Sequence, residues 1–205
     1  MTVEKNIDLK DIITFLDNSL IAVYGEPESV VVRHLRDPEH VDEFTLDWVN
    51  PAKPDKQKIA ETSKAKVIIV DKEVVFSEIL KNQGKVLLVV DNPKLAIAKV
   101  GNEFFVEKPI PGIHPSAVIH PDAQIGENVY IGANTTVGKC IIGNNVNIHS
   151  NVTLYDKVTV ENNTIINAGS VIGADGLGCE RDKDGVLFKF PHLGGVTINE
   201  NVEIG

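Results

Sequence analysis

The sequence predicts an α/β N-terminal domain followed by a parallel β-helix built as a three-sided prism. Two observations predict it. Apolar strand-like runs alternate with helical segments over residues 1–107, and a six-residue repeat occupies residues 108–205. The stretch IGENVYIGANTTVGK shows the repeat directly, with Ile125–Gly126, Ile131–Gly132 and Val137–Gly138 six apart. A period of six is neither the 3.6 of a helix nor the 2 of a continuous strand. It fits a short strand plus a turn, three of which close one coil, with coils stacked about 4.8 Å apart.

In the first half, LKDIITFLDN (9–18) places Leu9, Ile12, Ile13 and Leu16 on one helical face. LIAVYG (20–25) and VVVRHL (30–35) are β-branched and read as strands joined by a GEPES turn. PDKQKIAETSKA (54–65) reads as a polar helix. KVIIVD (66–71) and KVLLVVD (85–91) are apolar without alternation, which predicts buried parallel strands. NPKLAIAKVGNEFF (92–105) opens with an N-cap and a proline, so a helix follows. The proline-rich EKPIPGIHP (107–115) marks the boundary between the two domains.

In the second half the first position of each hexad is aliphatic at Ile113, Ile119, Ile125, Ile131 and Val137. It resumes at Ile142, Ile148, Leu154, Val160, Ile166 and Ile172. The fifth position is small or β-branched: Ala117, Ala123, Val129, Thr135, Ile141, Val146, Val152, Val158, Thr164 and Ser170. The fourth holds Asn128, Asn134, Asn145, Asn151, Asn163 and Gly169. These residues tolerate positive φ and predict a corner. The step from Val137 to Ile142 is one residue short, which predicts a tightened corner near Lys139–Cys140. The repeat breaks at 173–195, a glycine-rich insertion whose ERDKDG centre reads as a hairpin turn. It restarts at Ile198, Val202 and Ile204, and stops at Gly205 just after an inward position. An uncapped stack predicts that the chain is truncated, part of a longer gene product.

Composition narrows the function. The chain has 205 residues, 42% of them hydrophobic, and a formal net charge of −9. Neither half is basic, which argues against nucleic acid as a partner. No apolar run is long enough for a transmembrane segment. The start, MTVEKNIDLK, carries charge where a signal peptide needs an apolar stretch, which predicts a cytoplasmic protein. Cys140 and Cys179 form no zinc pattern, and no metal site is expected.

The hexads, together with IHPSAVIHPDAQIG (113–126), NVTLY (151–155), VIGADGLG (171–178) and FPHLGGVTINENVEIG (190–205), resemble the UDP-3-O-acylglucosamine N-acyltransferases of lipid A biosynthesis. The GADGLG insertion followed by FPHLGGV is the most specific part. The resemblance implies a left-handed helix, a homotrimer with active sites between neighbouring prisms, and an N-terminal domain that helps to bind uridine. It implies transfer of an acyl chain from acyl carrier protein to the amine of a UDP-linked glucosamine, with no bound cofactor or metal. The family's general base is a histidine from a coil downstream of VEIG, so it is expected beyond residue 205.

For binding, the resemblance points to FTLDWVNP (44–51). Asn50 and Pro51 match, whereas the family's aromatic position falls on Asp47 with Trp48 beside it. Trp48 is therefore either the base-stacking platform or a core residue. Asp175 and Gly176, where the repeat first breaks, and His192 in the inserted loop complete the candidate substrate-binding set. His149 sits at an outward second position of a hexad, and His114 and His120 each precede a proline; all three read as structural. Two rivals keep the prism: a sugar acetyltransferase using acetyl-CoA, and a non-catalytic scaffold. A metal-dependent hydratase would require histidine ligands between subunits.

Overall fold

The computed structural model describes residues 5–28 and 30–205. The chain divides into two compact units, Met1–Glu107 and Lys108–Gly205.

The first unit contains, in order, β1 (Ile7–Asp8), α1 (Leu9–Leu16), β2 (Leu20–Tyr24), β3 (Val31–Val32), β4 (Leu46–Trp48), α2 (Lys56–Thr62), β5 (Val67–Val70), α3 (Glu78–Asn82), β6 (Val86–Val90) and α4 (Pro93–Val100). The main sheet has the order β2-β6-β5-β4, with β4, β5 and β6 parallel and β2 antiparallel at one edge. Every residue of β5 and β6 is buried. Alternate side chains serve opposite faces, as the pleat requires. Val67, Ile69, Val86 and Leu88 pack with Leu9, Ile12 and Leu16 of α1 and with Ala96 and Val100 of α4. Ile68, Val70, Leu87 and Val89 pack with Ala60 of α2 and Leu80 of α3.

The starts of α1, α3 and α4 are fixed by side chains. Asp8 accepts from the Lys10 amide, Ser77 from Leu80 and Asn92 from Leu95, with Pro93 in the first turn of α4. At its other end α2 is closed by Lys85. Its buried ammonium donates to the carbonyls of Ala60 at 2.8 Å, Ser63 at 2.6 Å and Glu61 at 3.3 Å. Those carbonyls have no partner inside the helix, and a cation suits the negative end of its dipole.

Three sequence readings are refined here. The strand expected at 30–35 is ordered as strand only at Val31–Val32, and the helix over 54–65 contracts to Lys56–Thr62. The helix over 92–105 passes into a π-turn at Gly101–Phe105. β4 and α3 were not foreseen. β4 is a three-residue edge strand interrupted by Asp47, and α3 is only five residues long, too short for a helical period to show.

The second unit is a left-handed parallel β-helix. Its short strands form three stacked parallel sheets of five, four and four strands. Ile113 pairs with Ile131, Val137 with Leu154, and Ile142 with Val160, one coil apart. The first-position residues Ile131, Val137, Ile142, Ile148, Leu154, Val160 and Ile166 are almost fully buried, and they form one core with Val129, Val146, Val152 and Val158. The two buried threonines satisfy their hydroxyls inside the prism. Thr135 donates to the His149 carbonyl at 2.7 Å and Thr164 to the Asn199 carbonyl at 3.1 Å.

The corners behave as the fourth positions predict. Asn128, Asn134, Asn145, Asn151, Asn163 and Asn201 all have φ between 54° and 61°. One corner is a ladder: the Asn128 amide donates to Asn145 at 3.3 Å, Asn145 to Asn163 at 3.2 Å, and Asn163 to Asn201 at 3.4 Å. Glycine at the second position reflects the closeness of the next coil. A Cβ on Gly132 would stand 2.6 Å from the Ser150 nitrogen.

The irregular hexad corrects one assignment. Ile141, expected to face inward, is 51% exposed, and Cys140 takes the core position at 2%. Counted forward from Val137, the fifth position is Ile141; counted back from Ile142 it is Cys140. With one residue missing, only the second count keeps the following rungs in register. The Cys140 thiol donates to the Tyr155 carbonyl at 3.1 Å, and burial pushes its pKa up, so it is a packing residue and not a nucleophile.

Candidate functional site

The insertion after Ile172 leaves the prism and returns to it. It contains an antiparallel hairpin, Cys179–Arg181 with Leu187–Lys189, closed by the turn over 182–186. This agrees with the turn expected at ERDKDG. The chain rejoins the stack where Val196 pairs with Val158.

Between the insertion and the coil beneath it lies a cleft of about 570 Å³, lined by Thr136, Thr153, Tyr155, Lys157, Asp175 and His192, among others. A second hollow of about 370 Å³ is lined by Ala174, Pro191 and Leu193, and shares Asp175 and His192 with the first. Two of the five sequence-predicted binding residues, Asp175 and His192, therefore line both hollows, and Gly176 lies against the His192 ring. Gly176 explains part of the arrangement. A Cβ there would stand 3.0 Å from His192 Nε2, so a larger residue would push the imidazole away from the chain. Asp175 accepts from Lys189 Nζ at 2.8 Å, which ties the start of the insertion to the second hairpin strand. The Lys189 hydrogen bond and charge, with a smaller contribution from His192, hold the Asp175 carboxyl below its ordinary range. Asp175 is thus an anion at neutral pH, able to accept from a hydroxyl or an ammonium.

Trp48 and Asn50 lie in the first unit and do not share a cleft. The Trp48 indole is half-buried and packs on the core beneath α1 and α4. Its exposed part borders a hollow of about 270 Å³ with Asp47, Ile59, Ser63 and Lys64. Asp47 is engaged by Ser63 Oγ at 2.6 Å and by the Trp48 amide at 2.8 Å. The Asn50 side chain accepts from the Ala52 amide at 3.0 Å, forming its own turn.

The three histidines read as structural make local contacts. His114 Nδ1 and His120 Nδ1 accept from the amides of Ser116 and Asp122, two residues on. His149 meets the Tyr130 ring edge-on at 6.1 Å. Among the described residues no group of three or more His, Cys, Asp or Glu could hold a metal ion, and no helix is long and apolar enough to cross a membrane.

Sequence reasoning missed Tyr155 and Lys157 in the cleft wall. A signal for Lys157 was present. It occupies the fourth position of its hexad, where the surrounding hexads place Asn or Gly.

Comparison with known proteins agrees with the prism. Residues 111–139 and 139–174 match the family described as bacterial transferase hexapeptide (six repeats). The match spans the coils between 111 and 174 and agrees with their six-residue period. No curated protein matches the chain. Among solved structures, PerB from Caulobacter crescentus, in complex with CoA and GDP-perosamine, is similar at 14% identity, with 78% of this chain and 93% of that chain covered and a TM-score of 0.24. A histidine-to-alanine mutant of the GDP-perosamine N-acetyl transferase from the same organism is similar at 13% identity, with 78% and 92% covered and a TM-score of 0.19.

Proposed function

We propose that the chain serves acyl transfer from a coenzyme A thioester to the amine of a nucleotide-linked amino sugar. The observation that carries this reading is the transferase-type hexapeptide stack broken by an insertion that walls a cleft with Asp175 and His192. In the reaction the amine attacks the thioester carbonyl, the C–N bond forms, the C–S bond breaks, and the thiol leaves with a proton. The proton taken from the amine requires a general base. That role is assigned to no residue of this chain. Asp175 and His192 are proposed to bind the acceptor, with Asp175 accepting from the sugar and Gly176 allowing the imidazole its position.

The lining of the cleft favours a short acyl group. Thr136, Thr153, Asp156, Lys157, Asp175 and His192 supply polar groups beside the apolar Leu154 and Tyr155, a mixed wall that suits a short acyl group, whereas a long acyl chain is held by mainly apolar walls. A second reading keeps a long acyl chain on acyl carrier protein and a UDP-3-O-acylglucosamine acceptor. It is favoured by the GADGLG and FPHLGGV motifs. Under it, Trp48 and Asn50 serve the uridine, and the active unit is a homotrimer.

The test is thiol release by the purified protein. Acetyl-CoA, a long-chain acyl-CoA and a long-chain acyl carrier protein thioester would each be offered with UDP- and GDP-linked amino sugars, and the N-acyl product identified by mass. Acceptor-dependent release from acetyl-CoA supports the first reading. Release from the carrier-protein thioester alone supports the second. No acceptor-dependent release from any donor rejects both.

A further inference from the structure

Lys157 is the one described residue, other than Asn or Gly, whose backbone lies in the left-handed region, with φ 65°. Every hexad corner with φ near 60° otherwise carries asparagine, the residue that tolerates this conformation best. A lysine there is strained, and such strain persists where something else holds it. Three contacts show what it holds. Its ammonium donates to the Leu193 carbonyl at 3.1 Å, in the returning limb of the insertion. Its own carbonyl stands against Gly195, where a Cβ would meet it at 2.1 Å. Its next neighbour, Val158, pairs with Val196, the first residue back in the stack, and also lies against Gly173, where the insertion departs. The two ends of the insertion thus meet the prism at one seat, and Lys157 forms its polar part. Leu193 follows His192, so the same bond fixes the height of the imidazole over the cleft.

We propose that Lys157 is a positioning residue: a strained corner whose ammonium latches the insertion and so sets His192 over the cleft. Its effect on turnover rests on the acyl-transfer reading; its effect on the loop does not.

Three substitutions separate strain from latch. Lys157→Asn restores the preferred corner residue and removes the ammonium. Lys157→Met keeps the strain and removes the ammonium. Lys157→Arg keeps both strain and donor. Backbone hydrogen exchange over 174–195 is expected to quicken about threefold to tenfold in Lys157→Asn and Lys157→Met, the change that follows loss of one exposed, charge-assisted bond. It should stay at the wild-type rate in Lys157→Arg. The unfolding midpoint should rise by about 2–4 °C in Lys157→Asn alone, since only that change relieves the corner. With a substrate pair that turns over, Lys157→Asn should raise KM several-fold with little change in kcat, and Lys157→Arg should restore it. The proposal is overturned if loop exchange in Lys157→Asn and Lys157→Met equals wild type, or if Lys157→Asn lowers the midpoint. A wild-type protein without transferase activity would reject the proposed function, and the exchange and unfolding results would still decide the latch.

Discussion

The two units satisfy their polar groups in opposite ways. In the first, each polar problem has its own solution. Lys85 closes the end of α2 with three carbonyls, and Asp42 gathers His34 Nε2 at 2.8 Å, Arg36 at 2.7 Å and Thr45 Oγ1 at 2.9 Å. In the second, one solution recurs. Asparagine turns most corners, along one edge its amide donates to the next asparagine, and an aliphatic residue fills the interior below. The lesson concerns how damage spreads. A one-off contact fails alone, whereas a repeated contact is shared between neighbours and its loss weakens the coils on either side.

The largest expected effect tests that statement in the prism core. Ile148 is fully buried among its neighbours. Ile148→Ala should destabilise the second unit by about 3 kcal/mol, from lost burial plus the cavity left in a narrow tube. Exchange should quicken in the coils above and below as well as in its own. Confinement of the change to one coil would break the comparison.

Next is Lys85→Met. It leaves three carbonyls at the end of α2 without their donor and should cost about 2 kcal/mol, read from denaturant unfolding. Its exchange signature should be confined to α2 and the strands beneath it. The Asn145→Ala change should cost about 1 kcal/mol, since alanine tolerates φ 56° poorly and two ladder bonds are lost. Despite its smaller size, that loss should be felt at Asn128 and Asn163.

An effect of similar size is the most sensitive to pH. Burial alone would raise the Asp42 pKa, but the hydrogen bonds from His34, Thr45 and the Phe44 amide outweigh it and bring it from 3.8 to about 2. A depressed carboxylate contributes stability that is full above its unfolded pKa and is lost as pH falls through the folded one. Asp42→Asn should therefore cost about 1 kcal/mol at neutral pH, after allowance for solvent screening of this partly exposed group. The difference from wild type should shrink between about pH 4 and pH 2. A constant difference across that range would mean that shape, not charge, holds the cluster.

The same contrast decides what could be read in the sequence. The prism was legible because each coil repeats one constraint, so Ile131, Ile148 and Ile166 announce each other. Its one misassignment, Ile141 for Cys140, arose at the single short hexad, where counting forward and backward disagree. In the first unit β5 and β6 were legible as unbroken apolar runs. β4 was not, because Asp47 interrupts it and its bond to Ser63 joins residues far apart in sequence. At the site, the break in the repeat pointed to Asp175, Gly176 and His192. Tyr155 went unread because nothing marks it in its hexad, and Lys157 although it breaks the asparagine pattern at its corner; both become part of the cleft wall only when the insertion folds back over them.

The central claim is that the insertion cleft of the prism receives the thioester donor and its acceptor. Amide chemical-shift mapping with CoA, then with a nucleotide-linked amino sugar, tests it most directly. The account predicts shifts at Thr136, Thr153, Tyr155, Gly173 and Gly194, reduced by His192→Ala. Shifts confined to other surfaces, or none at millimolar ligand, would contradict it.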